Sequence, residues 1–340
     1  MEYRMLGASG AVVSTLALGT MTFGTETDEV GAHVQLDRYV EAGGNLIDTA
    51  DVYSGGESEH IVGRWLAARD GAREQIVLAS KGRFRMGGGL NDLGLSRQHL
   101  AAALDASLRR LGVDTIDLYQ LHSFDPLTPL EETLRFLDDA VRAGKIHYVG
   151  LSNFTGWQLQ RAADIAEFRG LARPVTLQPQ YNLLAREIEW EIVPAAGRNG
   201  LGLLPWSPLG GGWLTGKYRR EEAPTGATRL GENPDRGVEA YGRRSRLERT
   251  WDVVDAVRAI AGGRGVSMAQ VALAWLVDRP SVTSVILGAR TLEQLDDNLG
   301  AADLHLAPDE AQRLDEVSDP APADYPYGDL GVDQRSRGIG

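Results

Sequence analysis

The chain has 340 residues, of which 35 are basic and 47 acidic, so its formal net charge is −12. A charge of this sign argues against non-specific binding to nucleic acids or anionic membranes. The absence of cysteine excludes disulfides, thiol catalysis and cysteine metal sites. Residues 1–6 lack the apolar core of a signal peptide, and no later stretch approaches the length of a membrane span, so we expect a cytoplasmic protein.

Eight short apolar segments recur along the chain, with helical sequence between them. Segments such as 76–79 do not alternate with polar residues, which is typical of parallel strands buried on both faces. The pattern predicts an α/β fold, an eight-stranded parallel (β/α) TIM barrel, in a single domain over 1–340. The predicted strands cover 15–20, 45–49, 75–81, 115–122, 146–152, 174–180, 201–207 and 282–288.

Three segments fall outside this alternation. Residues 1–14 predict a small N-terminal β-hairpin, with its turn from Gly7 to Gly10, that covers the lower end of the barrel. Residues 208–245 are rich in Gly, Pro and Arg and predict a long loop before further helical sequence. Residues 319–340 predict an irregular C-terminal tail.

Polar residues of complementary chemistry stand where three predicted strands end. Asp48 ends the second strand, and Tyr53 lies in the loop that follows it. Lys81 ends the third strand and His122 the fourth. Because the carboxyl ends of barrel strands share one face, we expect these side chains to converge. Each also has a simpler interpretation, as a turn aspartate, a tyrosine at the core edge, a solvent-seeking lysine or a packing histidine.

Together the four residues predict reduction of a carbonyl group. A phenol with a pKa of about 10 is too weak an acid to protonate a developing alkoxide efficiently. An ammonium beside Tyr53 favours the phenolate and lowers this pKa, and Asp48 holds the ammonium charged. His122 then hydrogen-bonds the carbonyl oxygen. The sequence shows no nucleophile and base pair of the hydrolase kind and no close histidine spacing, so we expect no metal.

A carbonyl reductase needs a hydride donor, yet the sequence contains no G-x-G-x-x-G motif. A Rossmann cofactor site is therefore not expected. Residues 211–218 nearly match a P-loop, but Tyr218 replaces the Ser or Thr that would hold magnesium. We interpret this as a coincidental match that still supplies a glycine loop with Lys217, able to wrap a phosphate.

Seven motifs resemble those of the aldo-keto reductases in order and spacing. They cover nearly the whole chain, and the pattern looks closest to the bacterial branch that also includes the potassium-channel β-subunits. Two positions depart from the family pattern, because Leu287 replaces a proline and Trp206 replaces the commoner Tyr. The motifs are Asp48-Thr-Ala-Asp-Val-Tyr53, Ala79-Ser-Lys81, Leu121-His122, Gly150-Leu-Ser-Asn-Phe154, Gln178-Pro-Gln-Tyr-Asn182, Trp206-Ser-Pro-Leu209 and Gly288-Ala-Arg-Thr-Leu-Glu-Gln-Leu-Asp-Asp-Asn298.

The resemblance implies a barrel that binds extended NADP(H) and reduces an aldehyde or ketone to an alcohol. It implies that Tyr53 is the general acid, that Lys81 and Asp48 adjust the pKa of Tyr53, and that His122 orients the substrate carbonyl. Arg290 would hold the 2′-phosphate, which favours NADP over NAD. The matched cofactor positions are Thr20, Met21, Asp48, Ser152, Asn153, Gln178 and Trp206, the last stacking on the nicotinamide; Ser207, Pro208, Leu209, Gly211 and Lys217 at the pyrophosphate; and Gly288, Arg290, Gln294 and Asn298 at the adenosine end.

Several alternatives stay open. The chain could be a slow-turnover, NADP(H)-sensing regulatory subunit like the channel β-subunits, or could oxidise alcohols with NADP in the cell. Those subunits carry Asn at the position of His122, so the histidine favours the enzyme. Gln294 also fits a helix cap with Thr291, and Asn298 fits a helix end.

The partner we expect is a small-molecule carbonyl substrate with bulky, weakly polar substituents. We expect neither a nucleic acid nor a membrane as a partner. The 208–245 loop belongs to the expected cofactor and substrate site. Candidate apolar walls of the pocket are Phe23, Trp213, Tyr325 and Tyr327. The sequence does not encode the oligomeric state.

Overall fold

The computed structural model describes residues 1–336 except 221, 227 and 236. The predicted 208–245 loop and 319–340 tail therefore both include positions that lie outside the described residues. The barrel and its N-terminal hairpin are described throughout.

An eight-stranded parallel sheet forms the barrel, as predicted. Its strands pair in the order β10-β3-β4-β5-β6-β7-β8-β9, and a parallel bridge from Leu203 to Val282 closes the ring between β9 and the segment before β10. The barrel strands are β3 Leu16–Gly19, β4 Leu46–Asp48, β5 Val77–Gly82, β6 Ile116–Leu121, β7 Ile146–Ser152, β8 Pro174–Gln178, β9 Gly202–Leu203 and β10 Val285–Leu287. Most are shorter than predicted, and β9 is shortest because Pro205 has no N–H to continue its ladder.

The N-terminal hairpin consists of β1 Tyr3–Met5 and β2 Val12–Ser14, which pair antiparallel. Leu6 and Val13 are fully buried and pack with side chains of six barrel strands and of the segment after β9. Gly7 has φ +56°, and a Cβ there would lie 1.9 Å from the carbonyl oxygen of Val175, so only glycine fits. The hairpin covers one end of the barrel, as the sequence predicted.

Helices cover the outside of the sheet, and their apolar stripes face it. In α5, Leu134 and Leu137 are fully buried while Leu130 and Val141 are partly buried against the same core. The helices are α1 Glu29–Glu41, α2 Glu57–Ala67, α3 Ala72–Gln75, α4 Arg97–Leu111, α5 Leu130–Arg142, α6 Gly156–Arg169, α7 Ile192–Arg198, α8 Arg229–Glu232, α9 Tyr241–Arg244, α10 Glu248–Arg264, α11 Met268–Val277, α12 Leu292–Leu299, α13 Pro308–Val317 and α14 Asp329–Asp333. Turns of 3-10 helix cover Tyr53–Gly56, Glu187–Trp190, Gly210–Thr215, Gly237–Glu239 and Gly300–Asp303.

The two segments predicted to be irregular contain short helices. The long loop after β9 includes α8 and α9, and the tail includes α14. Within the described part of the chain no single helix is long and apolar enough to cross a membrane; α10 and α11 pass that test only as a pair bent by 102°. That 1–340 form a single domain stays a prediction.

Candidate active site

The four strand-end residues meet at one end of the barrel. Lys81 Nζ donates to Asp48 Oδ2 at 2.6 Å and to the Tyr53 hydroxyl at 3.2 Å. It also donates to the Thr49 carbonyl at 2.9 Å, so its three N–H donors all have acceptors. The Tyr53 and His122 rings meet edge to face, with centroids 5.8 Å apart. The predicted convergence is therefore present in the structure.

A left-handed turn places Tyr53 beside Lys81. The chain leaves β4 and enters the 3-10 turn Tyr53–Gly56, in which Gly55 and Gly56 have φ of +64° and +100°. A Cβ on Gly56 would lie 2.9 Å from the Arg110 side chain, so the turn requires glycine for both conformation and space. Ser54 Oγ then donates to the Phe23 carbonyl and fixes the turn against the loop after β3.

Burial controls the ionisation of Tyr53 and Lys81. It raises the pKa of Tyr53, and the nearby Lys81 ammonium opposes this without reversing it. The lowering by Lys81 that the sequence predicts is present, but burial outweighs it, and the phenol is held protonated at neutral pH. Burial also disfavours the ammonium, but attraction by Asp48 and Tyr53 outweighs it and raises the pKa of Lys81. The pair is thus a neutral phenol beside a buried cation.

His122 is a neutral imidazole beside Tyr53. Burial, with the nearby charges of Lys81 and Arg83, lowers the pKa of His122 to about 2. Its Nδ1 is buried without a hydrogen-bond partner among the described residues. The ring packs edge-on against Phe84, with centroids 4.7 Å apart. A neutral imidazole can donate a hydrogen bond to a carbonyl oxygen from the ring nitrogen that carries its proton.

Two glutamine amides hold Asp48 from the side opposite Lys81. Gln120 Nε2 and Gln178 Nε2 donate to Asp48 Oδ1 at 3.0 and 2.9 Å. Sequence reasoning missed Gln120, although it lies two residues before His122 and so shares its face of the strand. The buried pair of Asp48 and Lys81 thus has four further hydrogen-bond partners. Gln120 and Gln178 bond Asp48, and Thr49 and Tyr53 bond Lys81, which keeps the pair fixed at the base of the site.

A cleft of about 560 Å³ opens above these residues. It is lined by all but one of the predicted cofactor positions. The exception is Thr20, which is fully buried and donates to the Asp48 carbonyl at 3.2 Å. The predicted residues along the cleft are Met21, Asp48, Tyr53, His122, Ser152, Asn153, Gln178, Trp206, Ser207, Pro208, Leu209, Gly211, Lys217, Gly288, Arg290, Gln294 and Asn298.

Other residues line the cleft that the sequence analysis did not name individually as cofactor positions. Most are small, so only their position marks them. Lys81 is fully buried and is not part of the lining. Leu287, noted above as a departure from the family pattern, lines the cleft, as do Gly212, Thr215 and Thr228 of the 208–245 loop and Ala289 and Asp297 of the last motif. The remaining lining residues are Gly19, Thr22, Glu26, Ser267, Met268, Ala269 and Ile286.

Asn153 connects the catalytic end of the cleft to Trp206. It has φ +55°, and its Nδ2 donates to the His122 carbonyl at 2.9 Å. Its Oδ1 accepts from Trp206 Nε1 at 3.0 Å. Ser152 Oγ donates to the Gln178 carbonyl at 3.0 Å, which ties the same strand ends together. The indole plane is therefore held over the cleft by a hydrogen bond.

The glycine loop is a 3-10 turn and not a P-loop. Gly211 and Gly212 have φ of +65° and +96°, and no α-helix follows directly. Tyr218 is buried, and its hydroxyl donates to the Gly211 carbonyl at 3.0 Å, so it belongs to the packing of the loop. A Cβ on Gly212 would lie 2.3 Å from Lys217, which brings that lysine against the turn.

The far end of the cleft is built around the start of α12. Arg290 pairs with Glu26 and Glu232, two acids that sequence reasoning did not single out. Thr291 caps α12 by accepting from the Gln294 N–H at 3.3 Å. The Gln294 side chain accepts from the Arg290 N–H at 2.9 Å and not from the Thr291 N–H, so the reciprocal half of the capping box is not formed. Among the described residues no three His, Asp or Glu side chains are grouped to hold a metal ion.

Three of the four candidate apolar walls pack elsewhere. Phe23 and Trp213 are fully buried core residues, and Trp213 stacks on Tyr241 at 5.4 Å. Tyr327 stacks on Trp190 at 5.8 Å. Aromatic character alone does not distinguish a pocket wall from a core side chain. Tyr325 is 71% exposed and lines no part of the cleft.

Asp51 is a second buried carboxylate of the Asp48 loop. It is fully buried, and neither carboxylate oxygen has a hydrogen-bond partner in the described part of the chain. Burial and the nearby charge of Glu59 raise the pKa of Asp51 to about 7. The folded protein therefore binds more protons than the unfolded chain between pH of about 4 and 7, so Asp51 lowers stability as the pH rises.

The substitution Asp51→Asn is expected to stabilise the protein at pH 8 more than at pH 5. Asparagine cannot ionise, so the gain should grow by about 1.4 kcal/mol per pH unit across the window. Urea unfolding at both pH values measures it, with the exposed Asp70→Asn as the control. A gain independent of pH would contradict the assignment of Asp51 as the protonated group.

Comparison with known proteins agrees with the resemblance in sequence. The family model described as "Aldo/keto reductase family" matches residues 15–319. An uncharacterized oxidoreductase, YrpG, of Bacillus subtilis is 39% identical, over 93% of this chain and 96% of the relative. A probable voltage-gated potassium channel subunit beta of Oryza sativa subsp. japonica is 38% identical over the same shares. Versiconal hemiacetal acetate reductase of Aspergillus parasiticus is 35% identical over 93% and 96%. The chain therefore belongs to the aldo/keto reductase family and is an oxidoreductase.

Proposed function

We propose that the chain reduces an aldehyde or ketone to an alcohol with NADPH. NADPH-dependent carbonyl reduction is the general reaction of the family, whose members generally use NAD(P)H. The observation that carries the proposal is the buried ammonium of Lys81, which contacts Asp48 at 2.6 Å and Tyr53 at 3.2 Å, with the His122 ring 5.8 Å from the Tyr53 ring. Tyr53 can therefore supply a proton close to the place where His122 can orient the substrate oxygen.

The cleft fits an extended nicotinamide dinucleotide. Trp206 would stack on the nicotinamide, and Ser152, Asn153 and Gln178 offer polar atoms beside it. The left-handed turn at Gly211 would hold the pyrophosphate, because glycine lets backbone N–H groups approach a phosphate closely. Arg290 would face the adenosine end. The dinucleotide supplies the hydride, and the protein's residues supply the proton.

Proton delivery is the step that the four residues would perform. His122 would receive the carbonyl oxygen at its ring and so fix the carbonyl beside the Tyr53 hydroxyl. The carbonyl oxygen would take the Tyr53 proton as it gains negative charge, which would complete the alcohol. The phenolate that is left lies 3.2 Å from the Lys81 ammonium, and Asp48 keeps that ammonium in place.

We propose a bulky, weakly polar carbonyl compound as the substrate, because aromatic side chains cluster near His122. Phe124 packs edge to face on Phe154 and Trp157 next to the strand that carries His122. Trp157 is 58% exposed, so this aromatic group presents apolar surface to solvent, although none of its three rings lines the cleft itself. We further propose a cytoplasmic location, with the small-molecule substrate as the partner.

Single-turnover oxidation of NADPH with a panel of carbonyl compounds tests the function. We expect loss of NADPH absorbance in the presence of aldehydes or ketones with apolar substituents, and slower loss with NADH. The comparison among carbonyls ranks substrate shapes. Tight NADPH binding with negligible turnover on every carbonyl would contradict a reductase.

That second result would favour an NADP(H)-sensing regulatory subunit. The relative named as a channel subunit beta is about as similar to this chain as the relative named as an oxidoreductase, so identity does not separate the two functions. His122 favours the enzyme. Alcohol oxidation with NADP uses the same groups in reverse, so the direction follows the metabolite ratios in the cell.

A further inference from the structure

The Arg290 guanidinium is enclosed by two carboxylates from distant parts of the chain. Its two terminal nitrogens donate to both oxygens of Glu232 at 3.1 Å each. Its Nε donates to Glu26 Oε2, also at 3.1 Å. Arg290 is 19% exposed, and Glu232 is 48% exposed. The terminal N–H groups of Arg290, a residue that lines the cleft, are therefore paired with Glu232.

Glu232 is held in this position by the fold of the long loop. It is the last residue of α8, a short turn whose Leu230 is fully buried. The turn begins at Thr228, which lines the cleft and whose Oγ1 accepts from the Gly231 N–H at 3.0 Å. The carboxylate thus reaches Arg290 from an anchored segment and not from a free loop tip.

A phosphate monoester would need the same N–H groups. Arginine recognises a phosphate or a carboxylate by its paired terminal N–H donors, and each pair accommodates one such group. A monoester carries a charge of about −2 at neutral pH and would also be repelled by an adjacent carboxylate. A ribose hydroxyl is neutral and meets no such repulsion.

We propose that Glu232 determines cofactor specificity by competing with the 2′-phosphate of NADPH for Arg290, so that it narrows the preference for NADPH over NADH. This inference rests on the proposed function. Glu26, which lines the cleft, bonds Nε and leaves the terminal N–H groups to other acceptors. Glu232 is the carboxylate that occupies those terminal N–H groups.

The test compares Glu232→Gln with the wild-type chain in equilibrium binding. Glutamine keeps the size of the side chain and removes its charge. We expect NADPH to bind about tenfold more tightly to the variant and NADH affinity to change less than about twofold. Titration calorimetry with adenosine 2′,5′-bisphosphate and adenosine 5′-monophosphate should show the same difference without any turnover.

Glu293→Gln is the matched control. Glu293 is exposed in the first turn of α12, three residues after Arg290, and its removal deletes the same charge near the same site. An equal gain in NADPH affinity in both variants would overturn the proposal, because it would show a general charge effect. An equal change in the affinities for NADPH and NADH in Glu232→Gln would overturn it too. That result would show that the Glu232 contact only holds the loop in place.

The same experiment separates this inference from the proposed function. If the wild-type chain binds both cofactors and the ratio of their affinities is unchanged in Glu232→Gln, the inference fails and the proposed function is unaffected. If neither cofactor binds to any form of the chain, the proposed function fails and the inference fails with it. Circular dichroism of each variant shows that the chain is folded.

Discussion

Replacing Tyr53 with phenylalanine is expected to slow single-turnover carbonyl reduction by about 10²- to 10⁴-fold. The substitution removes the hydroxyl that lies 3.2 Å from Lys81 Nζ and keeps the ring that packs against His122. Cofactor affinity should stay within about twofold, because the lost group would act on the substrate oxygen. Stopped-flow absorbance measures the rate, and fluorescence titration measures the affinity.

Tyr119→Phe is the matched control for this result. Tyr119 is also fully buried in a barrel strand, and its hydroxyl has no hydrogen-bond partner among the described residues. Loss of that hydroxyl should therefore leave the reduction rate nearly unchanged. Wild-type turnover in Tyr53→Phe would remove Tyr53 as the proton donor, whereas equal losses in both variants would indicate a structural effect.

Replacing Lys81 with methionine is expected to destabilise the protein by about 3–5 kcal/mol and to abolish reduction. Lys81 is fully buried, and the substitution leaves the Asp48 charge with only its glutamine and backbone surroundings. The raised pKa of Lys81 means that its stabilising charge is present below about pH 10 and is lost as the pH rises through the folded-state pKa. Urea unfolding at pH 7 measures the loss.

A double-mutant cycle assigns this loss to the ion pair. Asp48→Asn combined with Lys81→Met should cost less than the sum of the two single substitutions, by about 0.5–3 kcal/mol. Lys145→Met serves as the control, since Lys145 and Asp105 form a half-exposed pair at 2.7 Å that should contribute only about 0.2–1 kcal/mol. Strict additivity at the buried pair would contradict coupling between Asp48 and Lys81.

Local sequence pattern was sufficient for the barrel and for its functional end. The strand segments, the hairpin and the glycine turn after Asp48 are short-range features, since strand burial and turn conformation depend on neighbouring residues. Parallel strands then bring Asp48, Lys81 and His122 to one end without further information. Gln120 was within reach of the same reasoning, because it alternates in register with His122.

What the sequence by itself determined is the order of strands and helices and the chemical types that gather at the strand ends. The tertiary structure decided how deeply each group is buried and which distant charges meet. It buries Lys81, where a strand-end lysine usually reaches solvent, and it buries the Tyr53 hydroxyl, which raises the pKa of that phenol although the Lys81 ammonium lowers it. It also brings Glu26 and Glu232 to Arg290 across 264 and 58 positions of the chain. Desolvation and long-range pairing depend on the packed arrangement of all the elements, and no local pattern of residues encodes them.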